Sequence, residues 1–280
     1  MNYNQILKEG ENFLKKSNIK SPNLDTELIL SKIINKKREE ILLNSNNKLK
    51  NTDLIKFKSY LLRRYHKEPM AYILGYKHFW KHKFLTNKSV LIPRPDTELI
   101  IEETLKHLPI DKSKKILDIG TGSGCIVVSL IKERPKCAAT AIDISRKAIN
   151  VAKTNAKLHQ LENKIKFINI DIDKYKSSNY DLIISNPPYI NCIELNRLDD
   201  DIKLHEPKIA LSGGFDGFRD IKKVIVVSKK LLKLNGKLII EIGHKQKNQS
   251  VKILNENGYY INKISKDLAG KDRCIISTKL

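Results

Sequence analysis

The chain has 280 residues, of which 40% are hydrophobic and 30% are charged, as is typical of a soluble globular protein with one large domain or two smaller ones. No apolar run reaches the roughly 18 residues that a membrane span needs, and Met1 to Gln5 lack the basic and apolar regions of a signal peptide. The 4 cysteines are scattered without a C-x-x-C pair, which argues against a structural zinc site or a disulfide scaffold. We therefore expect a cytoplasmic protein that does not bind a membrane.

The net charge of +22 has two interpretations. A strongly basic chain attracts nucleic acid or an acidic partner. The lysines are spread along the whole chain rather than clustered, which instead indicates biased amino-acid usage. A ribosomal or RNA-associated partner stays open.

Residues 1–72 are predicted to form a small helical domain. Their apolar residues recur at helical spacing, glycine is nearly absent and strand patterning is weak. Ser21 and Pro22 are typical of the cap and the first turn of a helix, and Thr52 with Asp53 begins another. Such a domain either packs against the rest of the protein or recognises a macromolecular substrate. The residues alone do not distinguish these two roles.

The helical spacing of apolar residues ends at residues 73–93. Their pattern predicts a β-hairpin linker that ends at Pro93-Arg94-Pro95. His78 and His82 have a spacing that could bind a metal ion on a helix. No helix is expected there and no third ligand is evident, so we predict no metal site.

Residues 94–280 alternate strand and helix patterns, which predicts a doubly wound, mostly parallel α/β sheet of seven strands. A polar loop is expected at about 191–215, after the fourth strand. The predicted helices are 99–108, 126–131, 148–159, 221–234 and 246–257. The predicted strands are 116–119, 138–142, 165–170, 180–185, 237–242, 259–264 and 274–278.

A glycine-rich loop, Gly120-Thr121-Gly122-Ser123-Gly124, joins the first strand of this sheet to a helix. Small residues allow the backbone to approach a ligand, and a helix N-terminus offers free N–H groups. The spacing is G-x-G-x-G after Asp118, not the G-x-G-x-x-G of dinucleotide enzymes. Asp143 ends the second strand, where a carboxylate can bind both hydroxyls of a ribose or simply face a helix N-terminus. Together these features predict a nucleoside site.

A stiff corner, Asn186-Pro187-Pro188-Tyr189, follows the buried strand at 180–185 and so lies where open α/β sheets bind ligands. Each proline fixes its φ angle, and Pro187 keeps Asn186 out of the helical region. The Asn186 side-chain oxygen and the Pro187 carbonyl are two acceptors that suit a planar NH2 group, and Tyr189 offers a flat face. A simple rigid turn is the alternative. Beside a nucleoside site, the corner favours a transferase.

Two motifs carry a resemblance to known enzymes. Residues 118–124 resemble the S-adenosylmethionine loop of class I methyltransferases, and residues 186–189 resemble the signature of amino-methyltransferases. More narrowly, the chain is similar to the HemK/PrmC family, the peptide chain release factor N5-glutamine methyltransferases. The narrower resemblance rests on segments outside both motifs: Arg63-Arg64, Glu68–Gly75, Leu91–Glu98, His205–Pro207, Gly213–Gly217, Glu241–Gly243 and Asp267–Arg273.

The resemblance implies a Rossmann-like fold that binds S-adenosyl-L-methionine as cofactor. The residues of the loop, Gly120, Thr121, Gly122, Ser123 and Gly124, would hold its methionine part. Asp143 would bind the ribose and Ile172 would lie against the adenine, with Asn186 beside the cofactor.

The resemblance also implies that the acceptor is the glutamine of the Gly-Gly-Gln loop of class 1 release factors. Asn186, Pro187 and Pro188 would hold its side-chain amide, and Tyr189 would pack on it. We expect direct in-line transfer of a methyl group without a dedicated base.

Four further residues are possible supports of this site. Glu98, Glu241 and His205 are candidates for supporting or proton-accepting groups, although each also fits a structural role. Arg94 either orders the site or forms a plain salt bridge.

Two other functions stay open. A methyltransferase for a base amine of DNA or RNA would use the same corner, and the net charge favours it. The Asp267–Arg273 segment and the segment from Arg63-Arg64 to Glu68-Pro69 weigh against it, so we do not expect nucleic acid as the substrate. The second alternative is a non-catalytic RNA- or ribosome-binding protein on a methyltransferase fold. The intact glycine-rich loop, Asp143 and the Asn186 corner argue against it.

Overall fold

The computed structural model describes residues 1–280, and the chain divides into two compact units. The N-terminal unit comprises Met1–Tyr76 together with Asp199–His205. The second unit comprises Lys77–Leu198 and Glu206–Leu280. The chain therefore leaves the second unit for one short excursion after Leu198, inside the region predicted as a single polar loop.

The elements are numbered in chain order. The helices are α1 (Tyr3–Lys15), α2 (Pro22–Ile34), α3 (Arg38–Leu43), α4 (Asn51–Tyr65), α5 (Met70–Leu74), α6 (Glu98–His107), α7 (Cys125–Glu133), α8 (Arg146–Leu158), α9 (Cys192–Asn196), α10 (Asp200–His205), α11 (Arg219–Leu231) and α12 (Lys247–Glu256). The strands are β1 (Tyr76–Phe79), β2 (His82–Leu85), β3 (Lys115–Ile119), β4 (Ala138–Asp143), β5 (Ile165–Asn169), β6 (Tyr180–Ser185), β7 (Leu232–Glu241), β8 (Tyr259–Lys266) and β9 (Asp272–Lys279). None of these helices is both long enough and apolar enough to cross a membrane.

The N-terminal unit is helical, as predicted, and its helices pack around one apolar cluster. Leu14, Ile29 and Phe57 lie in that cluster on α1, α2 and α4. Gly10 allows α1 and α2 to approach closely, because a Cβ atom there would lie 2.6 Å from the Thr26 methyl group. A backbone without a side chain at this crossing lets the two helices bury their apolar faces against each other.

The excursion of the chain is fixed to the N-terminal unit by a buried arginine. Arg64 Nε donates to Asp25 Oδ2 at 2.7 Å, and its Nη1 donates to Asp201 Oδ2 at 2.6 Å. Burial raises the pKa of the Asp25 carboxyl, and the Arg64 guanidinium partly opposes that rise. Because Asp201 lies on α10, the guanidinium joins α10 to both α2 and α4.

The second unit contains the predicted sheet, in the order β5-β4-β3-β6-β7-β9-β8. Neighbouring strands from β5 to β7 are parallel, whereas β9 is antiparallel to both β7 and β8. Two apolar clusters cover its faces, one containing Ile116 and the other containing Leu117. Adjacent residues of a strand point to opposite faces, so this central strand is buried on both sides. The predicted fold class is confirmed.

The strand order reverses at β3, and this reversal positions the candidate site. Ile119 at the end of β3 lies opposite Ile142 of β4 and opposite Ser185 of β6. The residues that follow these three strands therefore emerge side by side at the carboxyl edge of the sheet. Open α/β sheets bind ligands at such a point.

Some boundaries differ from the predictions. The hairpin at 73–93 is formed only by β1 and β2, and residues 90–92 lie outside any strand. Helix α11 ends at Leu231 rather than at 234, because Leu232 already pairs with Tyr180 of β6. The predicted loop at 191–215 contains the helices α9 and α10.

We expect the substitution Asp201→Asn to loosen the attachment of α10 to α2 and α4 within the N-terminal unit. The variant leaves the buried Arg64 with one carboxylate fewer, and hydrogen bonds to charged groups contribute about 1.5–3 kcal/mol. Hydrogen exchange of the α10 amides, followed by mass spectrometry, should accelerate accordingly. The matched control is Asp199→Asn, which breaks an exposed ion pair with Lys20 and should leave the exchange of the α10 amides close to that of the wild type. Equal exchange in the two variants would contradict the assigned role of Arg64.

Candidate active site

A cavity of about 350 Å³ opens at the carboxyl edge of the sheet, next to the ends of β3, β4 and β6. Four of the predicted site residues do not line it: Thr121, Ser123, Gly124 and Tyr189. The predicted residues that do line it are Gly120, Gly122, Asp143, Ile172, Asn186, Pro187 and Pro188. The structure thus brings the predicted nucleoside site and the predicted corner into one cavity.

The glycines of the loop serve different purposes. Gly120 has a φ of +73°, and a Cβ atom there would meet nothing within 4 Å, so the loop backbone faces open space. Gly124 has a φ of +79°, and a Cβ atom there would lie 3.1 Å from the Ala152 Cβ. The first glycine leaves room for a ligand, whereas the last lets α7 begin against α8.

The polar side chains of the same loop stabilise it from behind. Thr121 Oγ1 donates to Asp118 Oδ2 at 2.6 Å, and Asn155 Nδ2 donates to the Ser123 carbonyl at 2.8 Å. Burial raises the pKa of Asp118 to about 7. Thr121 and Ser123 are themselves buried, so their side chains shape the loop instead of facing the cavity.

Asp143 stands between the loop and the cavity. Its Oδ2 accepts from the Gly122 amide at 2.9 Å and its Oδ1 accepts from the Ser145 amide at 2.8 Å. Burial raises the pKa of Asp143, and these two amides oppose the rise. The carboxylate therefore both ties the loop to β4 and presents negative charge to the cavity.

Two apolar side chains, Ile144 and Ile172, line the cavity beyond Asp143. Ile144 is 55% exposed although it is a large aliphatic residue, and it was not among the site residues predicted from the sequence. An apolar residue directly after the acidic end of a strand is the signal that could have found it. Two such side chains suit a flat, apolar ring system.

The Asn186 corner has a defined orientation. The Asn186 Nδ2 donates to Thr97 Oγ1 at 3.1 Å, so its NH2 end is occupied and its oxygen is free to accept. Tyr189 is turned away from the cavity lining, and its hydroxyl donates to Glu241 Oε1 at 3.2 Å. The structure therefore places the tyrosine ring behind the corner.

Glu241, near this corner, is an acidic side chain that is almost fully buried. It is 2% exposed, and burial raises its pKa to about 7. Its second oxygen, Oε2, is buried without a hydrogen-bond partner. Arg273 and Thr97 oppose the effect of burial on the pKa of Glu241, and neither was predicted from the sequence to be a site residue.

The other residues that were predicted as possible supports of the site, Arg94, Glu98 and His205, each contact another residue. Arg94 Nη2 donates to Glu206 Oε1 at 2.5 Å, so Arg94 forms the salt bridge that was one of its two predicted roles. Glu98 Oε1 accepts from the Trp80 amide at 2.8 Å. His205 belongs to the N-terminal unit, where its Nε2 lies 2.9 Å from the His66 carbonyl oxygen.

Comparison with solved structures defines the class of the fold. The ribosomal protein L11 methylase of Lactobacillus delbrueckii subsp. bulgaricus superposes with a TM-score of 0.52 at 18% identity, covering 74% of this chain and 91% of that one. A methyltransferase of Pyrococcus furiosus superposes with a TM-score of 0.53 at 19% identity, covering 70% and 88%. A family model described as the methyltransferase small domain matches residues 97–198. The second unit thus has the class I methyltransferase fold.

Sequence comparison narrows the class to a family. The release factor glutamine methyltransferase of Buchnera aphidicola is 35% identical over 275 residues, covering 96% of this chain and 99% of the relative. That of Caulobacter vibrioides is 34% identical over 267 residues, covering 95% and 92%. A model of the PrmC N-terminal domain matches residues 5–75. The chain belongs to the HemK/PrmC family of release factor glutamine methyltransferases.

Other relatives are longer. The bifunctional methyltransferase of Rickettsia felis is 36% identical over 300 residues, covering 97% of this chain but 57% of the relative. That of Rickettsia bellii is 37% identical over 298 residues and is covered to 54%. The chain thus spans about half the length of these relatives.

We expect Glu241→Gln to change how stability depends on pH. The folded pKa of about 7 lies above the ordinary 4.5, so between these values the folded state holds more protons than the unfolded state. This difference makes the wild type less stable as pH rises through that window, and the amide of glutamine removes the effect. From about pH 5 to about pH 8 the variant should gain roughly 1–3 kcal/mol relative to wild type in urea unfolding.

The control for this experiment is Glu162→Gln, because Glu162 is exposed. Its unfolding free energy should follow the wild-type pH profile. If Glu241→Gln also followed that profile, the buried carboxyl would not titrate near neutrality.

Proposed function

We propose that the chain methylates the side-chain amide nitrogen of the glutamine in the Gly-Gly-Gln motif of class 1 release factors, with S-adenosyl-L-methionine as methyl donor. The observation that carries the proposal is the free oxygen of Asn186, which shares a cavity with Asp143 and the glycine loop. Membership of the release factor glutamine methyltransferase family supports the choice of substrate. A reaction on a translation factor would place the protein in the cytoplasm.

The cavity fits the proposed cofactor in size and chemistry. Its volume of about 350 Å³ is within the range of small-molecule sites. Asp143 suits the hydroxyls of a ribose, Ile144 and Ile172 suit an adenine, and the open space at Gly120 leaves room for an amino-acid tail. S-adenosylmethionine supplies a methyl group on a positively charged sulfur.

The corner supplies what an amide acceptor needs. An amide nitrogen is a weak nucleophile because its lone pair is delocalised into the carbonyl. The Asn186 side-chain oxygen and the Pro187 carbonyl can each accept a hydrogen bond from one of its two N–H groups. These two hydrogen bonds direct electron density onto the nitrogen and fix the orientation of the amide. Positioning of this kind can contribute about 7–11 kcal/mol, and hydrogen bonds that strengthen as charge develops add to it.

We further propose that the N-terminal domain, residues 1–72, recognises the protein substrate. Residues 73–93 would be the linker and residues 94–280 the methyltransferase domain. The match of residues 5–75 to a model of the PrmC N-terminal domain supports a role of its own for this domain.

A base amine in nucleic acid is the second candidate acceptor, because the net charge of +22 favours a polyanion. One assay separates the two: the enzyme is offered a release factor and nucleic acid together with labelled cofactor. Mass spectrometry of the Gly-Gly-Gln peptide should show one added methyl group. Label on nucleic acid alone would overturn the proposal.

We expect Asn186→Ala to remove turnover while cofactor affinity changes little. The substitution deletes one of the two acceptors for the substrate amide, and loss of one such contact costs about 10²- to 10³-fold in kcat. Turnover is measured on a release factor and cofactor affinity by calorimetry. A variant that turns over at the wild-type rate would contradict the role of Asn186.

We expect Asp143→Asn to weaken cofactor binding about 10- to 100-fold, since hydrogen bonds to a charged group contribute about 1.5–3 kcal/mol. An amide cannot accept from both the Gly122 and the Ser145 backbone as the carboxylate does, so the loop also loses a contact. Calorimetry measures the change. Asp111→Asn removes the same charge from an exposed position outside the cavity and serves as control. Equal affinities for the two variants would exclude Asp143 from the cofactor site.

A further inference from the structure

The two ends of the Asn186 corner are held by different parts of the fold. Where the corner begins, Ser185 lies in the sheet and pairs with both β3 and β7. Where the corner ends, Gln246 Nε2 donates to the Tyr189 carbonyl oxygen at 3.1 Å. The two prolines in between have no N–H group to donate, so the backbone of the corner is held chiefly at its two ends.

The side-chain amide of Gln246 is buried and uses both its donors and its acceptor. Its Nε2 also donates to the Gly217 carbonyl oxygen at 3.0 Å, and its Oε1 accepts from the Gly243 amide at 2.8 Å. The reversed amide would place its oxygen against two carbonyl oxygens, so only one orientation is compatible with these partners. One side chain thereby joins the corner, the loop at 213–217 and the turn after β7.

Two glycines allow the backbone to pack directly against this amide. A Cβ atom at Gly217 would lie 2.6 Å from the Tyr189 carbonyl oxygen and 2.9 Å from Gln246 Nε2. A Cβ atom at Gly243 would lie 2.9 Å from Gln246 Oε1. Contacts as close as these leave no room for a side chain, so the space around the amide is filled by the backbone itself.

The end of the corner matters for the second proposed acceptor, the Pro187 carbonyl. This oxygen accepts no hydrogen bond within the chain, so no partner fixes its direction. Its direction is set by the peptide plane to which it belongs, and that plane is fixed by the backbone on either side. Because the sheet holds the beginning of the corner, the position of Tyr189 decides how the intervening peptide planes are turned.

We propose that Gln246 is a positioning residue that holds the end of the corner and thereby directs the Pro187 carbonyl toward the acceptor amide. This inference deepens the proposed function and rests on it for the identity of the acceptor. Gln246 does not line the cavity, so it acts through the backbone and does not touch the cofactor or the acceptor.

The test compares four variants of the full chain. Gln246→Met is similar in length and removes all three hydrogen bonds. Gln246→Glu keeps the shape but replaces the NH2 group, so at most one of the two carbonyl contacts can remain. Gly243→Ala displaces the amide by adding a methyl group against Oε1. Gln249→Met is the matched control, because Gln249 lies on the same helix, α12, and is exposed.

Turnover on a release factor is expressed per molecule that binds S-adenosylhomocysteine, counted by calorimetry. This count removes any loss that is due to unfolded protein. Gln246→Met and Gln246→Glu should lower kcat per binding site roughly tenfold or more, because a misplacement of about 1 Å can cost about 10²-fold. KM for the release factor and affinity for S-adenosylhomocysteine should change less than about threefold. Gly243→Ala should lower kcat in the same direction, and Gln249→Met should match the wild type.

A second readout does not depend on the reaction. The Ile190 amide donates to the Leu211 carbonyl at 3.1 Å, and the Gly213 amide donates to the Ile190 carbonyl at 2.9 Å. Hydrogen exchange of these two amides, resolved by NMR, should accelerate about tenfold or more in Gln246→Met and Gly243→Ala, because the hydrogen bonds that hold the adjoining backbone are lost or displaced. The amide of Ile183, in the middle of β6, should exchange at the wild-type rate in every variant.

The outcomes separate the two proposals. If the wild type leaves release factors unmodified, the proposed function fails, while the exchange rates still decide whether Gln246 fixes the end of the corner. If the wild type methylates the release factor and Gln246→Met keeps its kcat per binding site, the positioning role is overturned. Unchanged exchange at Ile190 and Gly213 would overturn it as well. If Gln246→Met does not fold, Gln246→Glu and Gly243→Ala decide by the same two measurements.

Discussion

The pairing of β3 with β4 on one side and with β6 on the other is the constraint from which the site follows. Its register places Ile119 opposite both Ile142 and Ser185, so three strand ends lie at one level. Each is followed by a different chemical group: a glycine backbone, the carboxylate of Asp143 and the amide of Asn186. A shift of one residue in either pairing would turn the side chains of a strand to the other face and separate these groups. The apolar residues that bury β3 on both faces thereby fix the geometry of the polar ones.

The same burial creates a second layer of acids that do not face the cavity. Asp118 and Glu241 are both almost fully buried, and in each case burial raises the pKa to about 7. Each supports a different wall of the cavity, Asp118 through Thr121 and Glu241 through Tyr189. Buried acids of this kind are costly unless they are paired, so their retention next to the site favours a role in holding its shape.

The features of the site that depend on the path of the backbone were mostly predicted from the sequence. The strand pattern and the glycine loop implied the fold, and the rule that ligands bind at the carboxyl edge placed Gly120, Asp143 and Asn186 together. Side-chain partners distant along the chain were not predictable in this way. Tyr189 was expected to face the substrate, yet its hydroxyl reaches Glu241, which lies on another strand. The pairing of Arg64 with Asp201 likewise joins residues whose proximity no local pattern reveals.

The excursion at Asp199–His205 has a consequence for how the protein can be divided. Because Arg64 finds one of its two counter-ions on that segment, a fragment that ends at Tyr76 would contain a cation with half of its charge compensation missing. The N-terminal unit is therefore discontinuous in the gene although it is continuous in space. An autonomous version would have to carry the acidic segment on an engineered tether, or supply it as a separate peptide.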